Sequence, residues 1–156
     1  MKYTFLIVCF LFTAICSGQE QKKQFDLIIS VDNDIIQTIS NAQIVVKKGN
    51  GHNEIFNVSY YPGNLSLNHN DFDMLPEGEN VIYFKFTYIK YSKDGEQDIR
   101  TYEIDMGKNW FDETYMIVKL YNTDKKQNKK LKPLEGKTYT FDLDYGRGQM
   151  IRIRNK

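Results

Sequence analysis

From residue 80 to residue 91 the chain reads NVIYFKFTYIKY, and along it large apolar side chains and polar ones take turns. Successive side chains of an extended strand point to opposite faces. Ile82, Phe84, Phe86 and Tyr88 therefore share a face that is almost wholly aromatic and aliphatic, and Val81, Tyr83, Lys85, Thr87, Ile89 and Tyr91 share the other. The first face suits a core, and the mixed second face meets solvent over part of its length. This predicts a long central strand. Its sheet is expected to be antiparallel, because parallel neighbours need crossover helices and no stretch beyond the N-terminal residues has a convincing helical pattern.

The remainder of the chain supplies partners for that strand. Residues 25–32 (FDLIISVD) read as a buried first strand that ends in the turn residues Asp32-Asn33-Asp34. The β-branched run 41–48 stops at Gly49-Asn50-Gly51 and returns as 53–59, a hairpin. Pro62-Gly63 precedes a short strand at 64–68, and Leu75-Pro76-Glu77-Gly78 turns the chain into the central strand. Lys93-Asp94-Gly95 predicts a second hairpin, with 99–105 running back along 84–91. Residues 107–111 form a loop or single helical turn holding the only tryptophan, 114–121 is a further apolar strand, and 122–133 is a lysine-rich connector. A terminal hairpin joins 137–145 to 149–154 around Gly146-Arg147-Gly148. About nine short strands at this spacing predict an all-β fold, an antiparallel two-sheet β-sandwich.

The first 18 residues are read separately. One positive charge at Lys2, an apolar run from Phe5 to Phe12, and small residues at Ala14, Ser17 and Gly18 are the three zones of a secretory signal peptide. The run is shorter than the roughly 20 residues that a membrane span requires. Residues 19–156 then form a single exported domain, with a periplasmic, secreted or surface-attached location. Both cysteines, Cys9 and Cys16, fall inside the leader, so the domain relies on packing and has no disulfide or thiol chemistry. A cysteine just past the apolar run is also where a bacterial lipoprotein signal takes its lipid; Ile15, where a small residue is usual, departs from that pattern. Lipidation at Cys16 is the alternative to simple export, and the membrane is a partner only in that case.

The chain carries 21 basic and 20 acidic residues, and loss of Lys2 with the leader brings the balance to zero. Nucleic-acid binding requires a basic excess to neutralise phosphates, so that class is excluded. The abundance of Asn, Lys, Ile and Tyr points to an AT-rich bacterial genome.

Asn41-Ala42 before Ile44-Val45-Val46, then residues 63–67 (GNLSL), then Leu75-Pro76-Glu77-Gly78 leading into Val81-Ile82-Tyr83, together resemble the transthyretin-like or carboxypeptidase-regulatory-like sandwich domains of exported bacterial proteins. Tyr61-Pro62 stand where that family has an acidic residue, and the likeness covers about forty residues of turn signals that unrelated sandwiches, immunoglobulin-like ones included, can share. The resemblance implies an accessory or binding module and no activity.

Candidate chemistry is sparse. The exported part has no cysteine, no Gly-x-Ser-x-Gly elbow and only His52 and His69, neither at zinc-ligand spacing. His69-Asn70-Asp71-Phe72-Asp73 is rich in oxygen donors but does not complete a calcium loop; no metal and no cofactor is expected. Asp142 and Asp144 stand two apart on one strand face, an ordinary outward pair. No catalytic residue is assigned, and the protein is expected not to be an enzyme.

The aromatic surplus is the better lead. Tyr60, Tyr61, Trp110 and Phe111 fall in loops or strand ends, where flat rings can stack on a glycan or anchor a protein partner; the competing account is that they plug the ends of the sandwich. Lys125, Lys126, Lys129, Lys130 and Lys132 crowd one connector and are candidates for contact with an anionic surface, against the plainer role of a solvated loop. The sequence therefore predicts an exported, non-catalytic binding or accessory protein with a protein or glycan partner in the cell envelope. The alternatives are a periplasmic inhibitor or immunity protein, a carbohydrate-binding module, and a structural assembly subunit.

Overall fold

The structure is a computed structural model and describes residues 21–49, 51–77 and 82–151. The expected signal peptide, Cys16, Gly78, Val81 and residues 152–154 of the predicted terminal hairpin lie outside them. Twelve strands follow in order: β1 (Lys22–Phe25), β2 (Leu27–Val31), β3 (Asp34–Ile35), β4 (Ser40–Lys47), β5 (Asn53–Asn57), β6 (Ser59–Tyr61), β7 (Asn64–Asn68), β8 (Ile82–Tyr91), β9 (Gln97–Met106), β10 (Met116–Asn122), β11 (Tyr139–Tyr145) and β12 (Gly148–Met150). A one-turn helix, α1 (His69–Asp73), follows β7, and 3-10 turns occupy Lys108–Asp112 and Lys126–Asn128. Among the described residues no helix is long and apolar enough to cross a membrane.

The expected all-β, sandwich-like architecture is what the chain adopts. A four-stranded antiparallel sheet in the order β5-β4-β8-β9 faces a five-stranded sheet in the order β12-β11-β10-β2-β3, and a smaller sheet, β1-β7-β6, adjoins them. The central strand is β8. Ile82, Phe84 and Phe86 are fully buried on its inner face, and β9 pairs with it over its whole length, from Ile82↔Met106 to Tyr91↔Gln97. The predicted hairpins β4-β5, β8-β9 and β11-β12 all form.

Three expectations need correction. The strand predicted at 25–32 is two strands: Asp26 is exposed between buried Phe25 and Leu27, and the backbone changes partners there. Asp26 O accepts from Met116 N at 2.8 Å, Leu27 O accepts from Gly63 N at 2.9 Å, and β1 pairs with β7 while β2 joins the larger sheet. The second correction is that β2 and β10 are parallel, with Leu27 beside Met116 and Val31 beside Leu120. The need for a helical crossover applies to parallel strands that are close in sequence. Here the intervening strands make the connection, so no helix is required. The third is that residues 69–73, where no helical pattern is evident, form α1: Asn68 caps it, its side chain accepting from Asn70 N at 2.9 Å.

The core is built by alternation. Inward residues of β8 and β9 pack against Val118, Leu120, Phe141 and Leu143, all of them buried. Aromatic rings step from one sheet to the other: Phe84 to Phe86 at 5.1 Å between centroids, Phe86 to Tyr102 at 5.5 Å, and Tyr102 to Tyr139 at 4.9 Å. Burying each such side chain stabilises the fold by roughly 2–3 kcal/mol. The outer face of β8 is mixed, as its sequence predicts. Lys47 Nζ lies 4.0 Å from the Tyr83 ring centre, Lys85 pairs with Glu103 at 3.6 Å, and the Thr87 and Thr101 hydroxyls are 3.3 Å apart, a row of cross-strand pairs.

At one end of β10 the apolar series Met116, Val118, Leu120 is continued by Asn122, which is 2% exposed. The Asn122 side-chain amide donates to Asp32 Oδ2 at 2.8 Å and its backbone N–H to Asp32 Oδ1 at 2.8 Å. Its side-chain carbonyl accepts from the Tyr102 hydroxyl of the opposite sheet at 3.0 Å, and buried Asn128 donates to both Asp32 Oδ1, at 2.6 Å, and Asn122 O, at 3.2 Å. Asp32 can take this position because it and Asn33 have positive φ, 52° and 76°, in the two-residue turn between β2 and β3. Asp and Asn tolerate that region better than other side chains do. One amide thus joins the hairpin β2-β3, the sheet partner across the core, and the lysine-rich connector. Asn122→Ala leaves the Asp32 carboxylate and the Tyr102 hydroxyl short of partners and is expected to lower unfolding free energy by roughly 2–3 kcal/mol in urea titration, while Gln43→Ala, which removes a more exposed amide pair, changes it by under about 0.5 kcal/mol.

Candidate functional site

The four aromatic residues proposed as a recognition surface do not come together as one. Trp110 and Phe111 sit in the 3-10 turn after β9 and are 8% and 4% exposed. Phe25 meets Phe111 edge-on at 4.9 Å and Trp110 at 6.5 Å, and Phe72 of α1 meets Phe111 at 5.2 Å. These rings close one end of the sandwich, because the turn folds its two largest apolar side chains onto β1 and α1. Tyr60 is half-buried, and its hydroxyl accepts from Ile29 N at 3.1 Å with Ile36 O 3.5 Å away, so it completes the β2-β3 ladder where the backbone partner runs out. Burial raises the Tyr60 pKa, and the Ile29 N–H partly offsets this. Tyr61 alone of the four is freely exposed, at 60%.

Two depressions lie at opposite ends of β10. At the Met116 end a cleft of about 440 Å³ is lined by Met106, Met116, Met150, Trp110, Tyr145 and Leu143, with Asp105, Asn109 and Glu113 on its polar side. Glu113 is engaged by Arg147, whose Nη2 approaches to 2.8 Å. Trp110 lines this cleft but is 8% exposed, so little of its ring is open there.

The second depression, a groove of about 470 Å³, runs between the outer edge of β9 (Asp98 to Tyr102) and the segment Gly136 to Tyr139, with Asn122 and Asp124 at its floor and side. Asp98 and Arg100 occupy the inward face of β9, beyond Tyr102, where the two sheets diverge. Arg100 holds Asp124 through two parallel bonds, at 3.0 and 2.9 Å, and Asp98 at 2.9 Å; Lys125 reaches Asp98 at 3.2 Å. The Arg100 guanidinium beside them holds the carboxyls of Asp98 and Asp124 below the usual carboxylate range, and those carboxyls raise Arg100 in turn. On the far side Lys137 bonds Glu103 at 2.7 Å and lowers its pKa. Every acid of β9 that borders the groove is therefore matched by a cation. The signal for this cluster was present at positions 98, 100 and 102, since a charged pair on the face that carries Tyr102, Ile104 and Met106 inward must find partners on the opposite sheet. Recognising those partners required knowing which connector lies opposite.

The lysine connector divides accordingly. Lys125 is consumed by Asp98, whereas Lys126, Lys129, Lys130 and Lys132 are exposed and have no acid within ion-pair distance among the described residues. The connector's own acid is Asp124, committed to Arg100, and Glu135 follows just beyond it.

The other sequence candidates are placed apart. His69 is exposed, 3.8 Å from Asp73 on α1, and His52 lies exposed in the β4-β5 turn. Lys119 is paired with Asp144 and lies across the ladder from Asp142, a cross-strand ion pair. Among the described residues no three His, Cys, Asp or Glu side chains gather where they could hold a metal ion.

Two predictions follow from this geometry. Trp110→Ala opens a cavity in a closed end and is expected to cost roughly 3–4 kcal/mol in chemical denaturation, whereas Tyr61→Ala costs under about 0.5 kcal/mol. Because Asp98 and Asp124 titrate lower in the folded protein than unfolded, their ion pairs with Arg100 stabilise above the ordinary carboxylate range and are lost as pH falls below about 4. Arg100→Met is accordingly less stable than the parent at pH 7, and the difference between the two urea midpoints narrows at pH 3.

No family model, curated protein or solved structure matches this chain, so the likeness to transthyretin-like and carboxypeptidase-regulatory-like domains rests on its turn residues alone.

Proposed function

We propose that this chain is an exported, non-catalytic β-sandwich that acts by binding a protein partner in the cell envelope, as accessory domains of the transthyretin-like kind do. The observation that carries this reading is the groove beside β9. The acids of β9 there are neutralised in place, and elsewhere on the connector that supplies Asp124 and Lys125 the exposed Lys126, Lys129, Lys130 and Lys132 have no acid partner among the described residues. Unmatched surface charge of one sign attracts a partner of the other sign and speeds its encounter. The leader-like N-terminus supports export, to the periplasm, the medium or the cell surface, and lipidation at Cys16 would add a membrane anchor.

The carbohydrate-binding alternative has less support, because of the four candidate rings Trp110, Phe111 and Tyr60 are engaged with the protein itself and Tyr61 alone is exposed. An inhibitor or immunity protein is the form of partner binding that suits an exposed cluster of like charge. The test is cross-linking of the full-length protein in intact cells, comparing the parent with a variant in which Lys126, Lys129, Lys130 and Lys132 are all changed to Glu. A defined partner recovered in about equal molar amount with the parent and at least about tenfold less with the variant is expected. The same broad set of proteins recovered with both would refute the reading.

A further inference from the structure

Strand β5 is an open edge of the four-stranded sheet. Its parity is fixed at both ends. Lys48 N donates to His52 O at 3.1 Å and Val58 N to Ala42 O at 3.1 Å, so even-numbered positions bond to β4 and the backbone groups of Asn53, Ile55 and Asn57 point away from the sheet. Among the described residues no backbone group meets them, and all three residues are exposed, Ile55 at 56%. Short strands and charged side chains are how edges avoid pairing with other chains, and the remaining edges have one or the other. Strands β3, β6 and β12 are two or three residues long, and β1 opens with Lys22-Lys23. On β9, Tyr139 takes both edge groups of Glu103, and the ion-paired Asp98 and Arg100 follow toward the turn. Strand β5 (NEIFN) has no lysine, arginine or proline, and its one acid, Glu54, is paired with Lys48. Lys47, across the ladder from Asn53, turns the other way and lies over the Tyr83 ring.

From this edge, and independently of the partner-binding reading above, we infer that the chain pairs with a second copy of itself, β5 running antiparallel to β5 about a two-fold axis at Ile55. An interface of that symmetry has to be self-complementary. On the outer face of the sheet β5 presents Asn53, Ile55 and Asn57, the same in either direction. The axis sets Ile55 opposite Ile55 of the second copy and Asn53 opposite its Asn57. Each of these positions has outward backbone groups, so every opposing pair exchanges both of its N–H···O bonds. The Gln43 side-chain amide already donates to Asn57 Oδ1 at 3.3 Å, which leaves the Asn57 amide N–H groups for the Asn53 carbonyl opposite. The two Ile55 side chains cover each other and extend the row formed by Val45 and Tyr83 on the neighbouring strands. Charge and side-chain matching select the register. An axis at Glu54 sets two carboxylates face to face, and an axis at Phe56 sets Ile55 against Asn57 and leaves Asn53 without its amide. The pairing joins the two four-stranded sheets into one continuous sheet.

An edge of this length buries less than the roughly 1,200 Å² found in stable complexes, so the dimer forms on concentration and dissociates on dilution. The test is sedimentation velocity on the whole protein from about 5 to about 500 μM, with amide hydrogen exchange followed residue by residue at both limits. The mass is expected to rise from monomer toward dimer, and exchange at Asn53, Ile55 and Asn57 to slow at least about threefold at the upper limit, with Gln97, Ile99 and Thr101 of β9 unchanged. Ile55→Lys sets one lysine opposite another across the axis and is expected to keep the protein monomeric throughout. Ile99→Lys, at a comparably exposed isoleucine of the same sheet, is expected to leave the dimer intact. A protein that stays monomeric at the upper limit, a dimer that survives Ile55→Lys, loss of the dimer with Ile99→Lys, or protection at β9 instead of β5 would each overturn the inference.

Discussion

A sandwich of two sheets must end somewhere, and where it ends its backbone and its last inward side chains have to be satisfied without an apolar neighbour. Asn122 meets that constraint here. It stands at an inward position of β10, immediately after Leu120, and its amide and backbone collect the Asp32 carboxylate, the Tyr102 hydroxyl and the Asn128 side chain into one buried set. Polar groups buried this deeply are costly unless every partner is present. The cluster therefore fixes the turn between β2 and β3, the separation of the sheets and the path of the connector together.

The opposite end is solved with rings. Phe25, Phe72, Trp110 and Phe111 interlock where β1, α1 and the 3-10 turn meet, and Lys23 and Lys108 lie 5.0 and 5.1 Å from the Phe72 ring centre. The two solutions leave different surfaces. The aromatic end is closed apart from a cleft lined by methionines, while the polar end continues past Asn122 into ion pairs and a groove. Exposed ion pairs of this kind contribute little to stability, each on the order of 1 kcal/mol or less. Their consequence lies in the field they leave behind, because they cancel the acids of β9 beside the groove, while Lys126, Lys129, Lys130 and Lys132 have no acid partner among the described residues.

Tyrosine hydroxyls recur as substitutes for strands. Tyr60 pairs with Ile29 beyond the end of β3, and Tyr139 occupies both edge groups of Glu103. Each is a phenol packed against the core, Tyr139 buried and Tyr60 half-buried, whose oxygen reaches a backbone that would otherwise be open, and burial raises both pKa values. An edge strand is a template for pairing with another chain, and it is blunted where a side chain takes its hydrogen bonds. The stretch of β9 that Tyr139 does not guard is the stretch that faces the groove.

The sequence alone determined most of the strands, though not the break at Asp26, together with the three hairpins and the two faces of β8, because side-chain alternation and turn residues such as Asp94-Gly95 are local properties that do not depend on distant contacts. It also limited the chemistry, since a chain with two histidines and its only cysteines at the N-terminus offers few nucleophiles or ligands wherever it folds. Only the tertiary structure decided the roles of side chains whose partners lie far along the chain. Asp32 and Asn122 are ninety residues apart, Tyr60 bonds across to β2, and Arg100 meets Asp124 on a connector with no pattern of its own. For the same reason Trp110 and Phe111, which in sequence could equally face a ligand, proved to be interior: a ring in a loop is recognition surface or core according to which elements fold over it, and no local pattern encodes that choice.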